Sequence, residues 1–175
     1  MTTSQMKLIL VNENDEPTGT MEKMEAHQKA LLHRAFSVFI FNSKGDMLLH
    51  QRALNKYHSG GLWTNACCSH PVDGQQTLEA AMIRLQEEMG FSVSLQEAFS
   101  FIYKASLENG LTEHEFDHVF IGNNDGEIHP DKAEVKDFCF MSMDDIRSSI
   151  RLYPQNYTEW FKIAFPKVEE YLAGS

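Results

Sequence analysis

Three histidines and two glutamates are the first residues whose types and spacing could do chemistry. His27 and His33 stand six residues apart, and His70 follows in the run Cys67-Cys68-Ser69-His70-Pro71. Further on, Glu113 and Glu115 are two apart in a segment that reads as a strand. Alternation along a strand turns both carboxylates to one face, roughly 6 to 7 Å apart. Three imidazoles with two carboxylates suit Mn²⁺, Fe²⁺ or Zn²⁺ better than Mg²⁺, which prefers oxygen ligands. The spacings match no standard zinc motif, so the residue types suggest a metal without fixing it. Taken singly, a histidine is ordinarily a surface or hydrogen-bonded residue. His50, His58, His114, His118 and His129 are read that way, with His114 and His118 on the strand face opposite Glu113 and Glu115.

A second acidic group lies in Glu87-Glu88-Met89-Gly90-Phe91 at the end of a helical segment. It resembles the end of the Nudix signature, whose glutamates hold a divalent metal on a diphosphate. The rest of that signature is altered. Ile83-Arg84 stands where the hydrolases carry Arg-Glu, and the leading glycine and first glutamate fall at Ser69 and Gln75. A metal-binding tail without the hydrolytic pattern points to a Nudix-like scaffold used for other chemistry. Just upstream, Trp63-Thr64-Asn65-Ala66-Cys67-Cys68-Ser69-His70-Pro71 resembles the active-cysteine motif of type I isopentenyl-diphosphate isomerases. His27, the run His33-Arg34-Ala35-Phe36-Ser37, Arg52 with Lys56, and Glu113-His114-Glu115 follow that family's order, and the resemblance spans about residues 6 to 165.

The resemblance implies an enzyme that shifts the double bond of isopentenyl diphosphate to give dimethylallyl diphosphate, a small-molecule reaction of isoprenoid biosynthesis. It implies His27, His33, His70, Glu113 and Glu115 as ligands of a transition metal, Mn²⁺ or else Zn²⁺ or Fe²⁺. Glu88 would serve a Mg²⁺ bound with the diphosphate, and Lys23, Arg52, Lys56 and Arg84 would be its cationic partners. Cys68 and Glu115 match the two acid/base groups, with Tyr103 and Trp160 lining the hydrocarbon end. Cys67 is the adjacent thiol, and Cys68, two before His70, is expected to be the catalytic one. Chemistry asks for such types independently. An unactivated alkene has no carbonyl to polarise, so isomerisation most simply protonates C4 and removes a proton from C2, using two groups across an apolar slot. Two rival functions remain in view, a Nudix hydrolase of a diphosphate substrate and a non-enzymatic metal-binding module. Neither gives Cys68 a task.

The elements that must position these residues are legible from periodicity. Leu8 to Val11 and Thr18 to Met21 read as strands, and Glu22 to Leu31 as a short helix. Arg34 to Phe41 and Asp46 to Arg52 flank the hairpin signal Asn42-Ser43-Lys44-Gly45, and residues 55–61 read as a loop. Leu78, Met82, Leu85 and Met89 recur at helical spacing, with Gly90 as the stop. Glu113 to Ile121 and Val135 to Met141 read as strands. Ser142-Met143-Asp144-Asp145 opens a helix to about Arg151, and a last helix starts near Thr158 and is interrupted by Pro166. The expected class is α+β, a Nudix-like mixed sheet flanked by helices, with residues 1–175 forming one domain.

Bulk properties agree with a globular protein at 42% hydrophobic residues. The net charge of −10 argues against a nucleic-acid partner, because phosphate backbones are held by clustered cations. An anionic substrate would instead need divalent metals and a few placed cations. Three cysteines are an odd number, two of them adjacent, which suits a reducing compartment. No signal segment and no run of membrane-spanning length is recognised, so the cytoplasm is the expected location.

Overall fold

The computed structural model describes residues 6–175; the first five, included above in the expectation of no signal segment, lie outside them. The described residues form β1 (Lys7–Val11), β2 (Pro17–Glu22), α1 (Lys23–Lys29), β3 (His33–Phe41), β4 (Met47–Arg52), β5 (Trp63–Thr64), β6 (Cys67–Ser69), α2 (Thr77–Met89), β7 (Gln96–Ser106), β8 (Thr112–Asn123), β9 (Val135–Met141), α3 (Met143–Leu152) and α4 (Glu159–Ala173). All nine strands join one mixed sheet.

β3 explains the architecture. Every residue from Ala35 to Phe41 is buried, as expected of a strand covered on both faces. Alternation sends Phe36, Val38 and Ile40 into one core with Leu48, Ala80, Ala81, Leu85, Met89 and Phe120. Phe39 and Phe41 enter a second core with Leu49, Val119, Ile146, Phe161 and Phe165. The sheet therefore lies between α2 on one side and α3 with α4 on the other.

β3 runs parallel to β8 along its whole length, His33–Phe41 against Glu115–Asn123, and pairs antiparallel with β6. β7 pairs with β8, β1 pairs with β2, and Leu10 of β1 bridges to His33. The hairpin expected at Asn42–Gly45 forms, with the Asn42 N–H donating to Asp46 O at 3.0 Å. Its strands, however, pair only at Phe41–Met47. Beyond that point β3 is committed to β6 and β8, whereas β4 pairs with β5 and β9.

Two sequence expectations are corrected here, and one strand was not anticipated. In α2, Leu78 and Met82 are exposed, and the buried face runs through Ala80, Ala81, Leu85, Glu88 and Met89. Small alanines let α2 approach the sheet closely, and a carboxylate shares the inner face with them. Pro166 does not interrupt the last helix, which runs on to Ala173. The proline is exposed, so the carbonyl that its missing N–H would have served can meet water, while Phe165 and Val168 keep the helix on the sheet. Finally, β7 has no counterpart in the sequence reading. Ser142 does cap α3, accepting the Asp145 N–H at 3.1 Å. No described helix is long and apolar enough to cross a membrane.

Candidate active site

The parallel ladder between β3 and β8 sets His33 directly beside Glu115. α1 brings the wholly buried His27 to within 5.3 Å of the His33 ring, and the chain leaving β6 brings His70 to 4.9 Å from it. One ligand atom from each of His27, His33, His70 and Glu115 lies within 4.8 Å of every other. Glu113, on the same face of β8, falls outside that group of four but is equally buried.

Whether these residues fit a metal can be judged from their unpaired atoms. His27 Nδ1 and Nε2, His33 Nε2, His70 Nδ1 and Glu113 Oε1 are buried without a hydrogen-bond partner. Each such orphan costs about 1–3 kcal/mol, so several in one place need a common partner. Burial, reinforced by His70 and His33, holds His27 down at about 3, and burial holds His70 down at about 4. Both rings are therefore neutral with a lone pair to offer. His33 Nδ1 is engaged with Leu31 O at 2.9 Å, which orients Nε2 inward as a metal ligand requires. The group can bind a metal, and its donor set fits one.

Tyr103 stands opposite Glu115 on β7 and donates its hydroxyl to Glu115 Oε1 at 2.5 Å. Burial would raise Glu115, but the imidazoles of His33 and His70 hold it well below the usual carboxylate range. Glu113 moves the other way, raised by burial and by the charge of Glu115. The two adjacent thiols part company because neighbours on a strand face opposite sides. Cys67 is fully buried in the α2 core, 3.6 Å from Glu88 Oε2. Cys68 opens on the cavity, between Asn65 Oδ1 at 3.1 Å and Ser37 Oγ at 3.4 Å. Burial and the charge of Asp117 push its thiol well up.

The cavity that Cys68 faces is also lined by Tyr103, Trp160, His27, His70, Glu113 and Glu115. Tyr103 and Trp160 pack together with Cys68 and Phe101 as an apolar end. Lys23, Arg52, Lys56 and Arg84 line the same cavity, against Glu88, Glu113, Glu115 and Glu134. Four cations facing four carboxyl groups leave too little surplus positive charge for a diphosphate, which here needs added divalent metal. Arg84 forks onto Glu88 Oε2 at 2.8 and 3.1 Å, and Lys56 pairs with Glu134 Oε2 at 2.5 Å. The Arg52 guanidinium lies over the Trp160 ring, 5.1 Å from its centroid. Burial, then the charge of Lys56, lowers Lys23 to about 8.

Every residue expected in the metal, diphosphate and proton-transfer sites lines this cavity except His33. His50, His114, His118 and His129 have ordinary hydrogen-bonded roles. His58 is hydrogen-bonded as well, its Nδ1 3.0 Å from Ser59 Oγ, but it has a further place. It is buried, lines the cavity and stands edge-on to Trp160 at 5.7 Å. Glu134 was missed, as were Ser37, Asn65 and Asp117 around the thiol. Asp117 had a signal, since it continues the alternation of Glu113 and Glu115. Loop residues His58 and Glu134 carry no period that could have marked them.

A family model described as the NUDIX domain matches residues 31–161. The crystal structure of a Deinococcus radiodurans protein aligns with a TM-score of 0.70 at 17% identity, covering 84% of this chain and 90% of that one. The MutT protein from Methanosarcina mazei aligns with a TM-score of 0.66 at 16% identity, covering 79% and 94%. At such identities the likeness is one of fold. Sequence relatives are nearer. The isopentenyl-diphosphate Delta-isomerase of Pectobacterium atrosepticum is 49% identical over 94% of this chain and 92% of its own length. That of Burkholderia multivorans is 48% identical over 89% and 88%. The altered Nudix signature, the single cavity-facing thiol and these relatives agree: the chain belongs to the NUDIX domain family and, within it, to the isopentenyl-diphosphate Delta-isomerases.

Proposed function

We propose that this protein isomerises isopentenyl diphosphate to dimethylallyl diphosphate, with Cys68 and Glu115 exchanging protons with the hydrocarbon and residues 1–175 acting as one domain. The observation that carries this reading is the shared cavity, with a thiol and a carboxylate at its apolar end and four cations around it. Burial keeps Cys68 as a thiol, while His33 and His70 keep Glu115 as a carboxylate. The pair therefore holds one transferable proton, which is what a reaction with one protonation and one deprotonation requires.

Lys23, Arg52, Lys56 and Arg84 hold the diphosphate, fixing the distance between the charged end and the alkene. A Mg²⁺ at Glu88 would neutralise the diphosphate, and a Mn²⁺, Zn²⁺ or Fe²⁺ held by His27, His33, His70, Glu113 and Glu115 would fix the Glu115 carboxylate. In the forward direction the protonated member of the pair supplies C4 and the ionised member takes a proton from C2. Tyr103 donates its hydroxyl to Glu115 and so orients and stabilises the ionised carboxylate. Trp160 faces the cation that forms at C3. Because Arg52 occupies one face of the indole, the substrate uses the other; such contacts contribute up to ~2 kcal/mol. That is small beside the roughly 8–23 kcal/mol by which enzymes lower barriers. Placement of the proton-transfer pair at the apolar end of the cavity does most of the work. The substrate is a small anion, the net charge of −10 favours neither a nucleic-acid nor a membrane partner, and the cytoplasm is the compartment we assign.

The test is turnover in D₂O followed by proton NMR. Deuterium should enter dimethylallyl diphosphate and, through reversal, recovered isopentenyl diphosphate, with no phosphate released. Unlabelled product would mean a direct hydrogen shift, and phosphate release would mean hydrolysis.

A further inference from the structure

Within the proposed reading, Cys68 must present its thiol along one direction, and a one-strand segment of three residues is a weak base for such precision. We propose that Asn65 is the positioning residue of Cys68, locked from behind by Thr64 and Thr158.

The orientation of the Asn65 carboxamide is fixed by its partners. Its Nδ2 donates to Val38 O at 2.8 Å and to Cys67 O at 3.1 Å. Val38 and Cys67 are register partners on β3 and β6, so the amide ties both strands together. Flipping it would set Oδ1 against two carbonyls, which leaves one assignment. Oδ1 can only accept. It receives the Thr64 hydroxyl at 2.9 Å and lies 3.1 Å from Cys68 Sγ. Thr64 Oγ1 in turn receives the Thr158 hydroxyl at 3.0 Å, and Thr158 Oγ1 receives the Phe161 N–H at 3.3 Å.

Every donor in this chain points toward the Asn65 oxygen, and the three relaying side chains are at most 1% exposed. Serial hydrogen bonds of this kind reinforce one another, and burial removes water as a competitor. The remaining neighbour of the sulfur, Ser37, gives its hydroxyl to Asp117 Oδ2 at 2.7 Å. Ser37 Oγ, having donated, can still accept the thiol at 3.4 Å, but Asn65 Oδ1 at 3.1 Å is the nearer acceptor for its single hydrogen. Thr158 is also the N-cap of α4, two residues before Trp160. One polar line therefore sets the thiol and the indole, which bound the same apolar end of the cavity, in fixed relation.

The test separates aim from folding. In the infrared, the S–H stretching band of Cys68, isolated by subtracting the Cys68→Ala spectrum, reports the thiol's hydrogen bond without reference to turnover. In Asn65→Ala that band should shift to higher frequency, because only the longer contact to Ser37 at 3.4 Å is left to accept the thiol. The kcat should fall roughly 10²-fold, the cost of a misplaced reacting group, at nearly unchanged KM. Should Asn65→Ala not fold, Thr64→Val removes only the hydroxyl behind the amide, and Thr64→Ser restores it. The valine variant should lose about fivefold in kcat and shift the band, and the serine variant should recover both. A band unmoved in Asn65→Ala, or identical behaviour of the valine and serine variants, overturns the positioning role even where turnover drops. Full turnover in Cys68→Ala would instead overturn the catalytic reading of the thiol, a separate result.

Discussion

Cys67 and Cys68 share a peptide bond but little else. One lies in the α2 core and the other faces the cavity. Cys68→Ala should abolish isomerisation with the fold intact, while Cys67→Ala should keep much of the activity and lose some stability, as trimming a buried side chain does. Steady-state turnover with thermal melts of both variants distinguishes the thiols, and the reverse outcome would exchange their roles. A second residue-scale consequence concerns Lys23. Its folded value is lowered to about 8 by burial and by Lys56. Below that pH the ammonium is charged and attracts the diphosphate; above it the amine is neutral. The KM should therefore climb as pH rises through about 8, and Lys23→Arg should move the rise upward, since guanidinium stays charged. A KM that stays flat across that range would remove Lys23 from the diphosphate site. At this scale much of the site was legible before any coordinates. Histidines, glutamates and cysteines in an ordered set carry chemistry in their types. Asn65 and Ser37 were not legible, because their part lies in which atoms they touch, and neither type nor spacing records that.

Among the elements, long runs with one clear period were readable and short or mixed ones were not. β3 was readable from the hairpin signal that follows it at Asn42–Gly45, and β8 from the alternation that begins with Glu113 and Glu115. β7 hid because exposed Ile102 sits in its polar row and a bulge between Glu97 and Phe99 shifts the alternation by one. α2 misled in another way: of the large apolar residues that were read, Leu85 and Met89 are buried, but Ala80, Ala81 and Glu88 complete the packed face in place of Leu78 and Met82. The end of that helix was clear from Gly90, and the structure supplies a second reason for the glycine. Its φ is +74°, and a Cβ there would sit 2.2 Å from His129 O. Gly90→Ala should destabilise the protein by more than about 1 kcal/mol, read as a lower denaturation midpoint. Because α2 carries Arg84 and Glu88, diphosphate affinity should drop as well. A variant with an unchanged midpoint would show that the loop to His129 yields easily.

The molecule as a whole is organised around a contact between distant parts of the chain. His33 and Glu115 become neighbours only when β3 and β8 zip in parallel, and His27 and His70 must then arrive from α1 and the end of β6. Loop closure of this span is slow to form, because its entropy is lost before the contacts are made. We expect the centre to form late in assembly, since it is absent from the growing polypeptide until β8 has been synthesised and docked. An ion that binds it finds nothing to hold in the folding transition state and should act almost wholly on the exit from the native state. Stopped-flow chevrons with and without metal should accordingly share a refolding limb, while the unfolding limb falls in the presence of the ion. Newly made enzyme would then acquire its metal as a finished protein, drawing on whatever ion the cell offers at that moment.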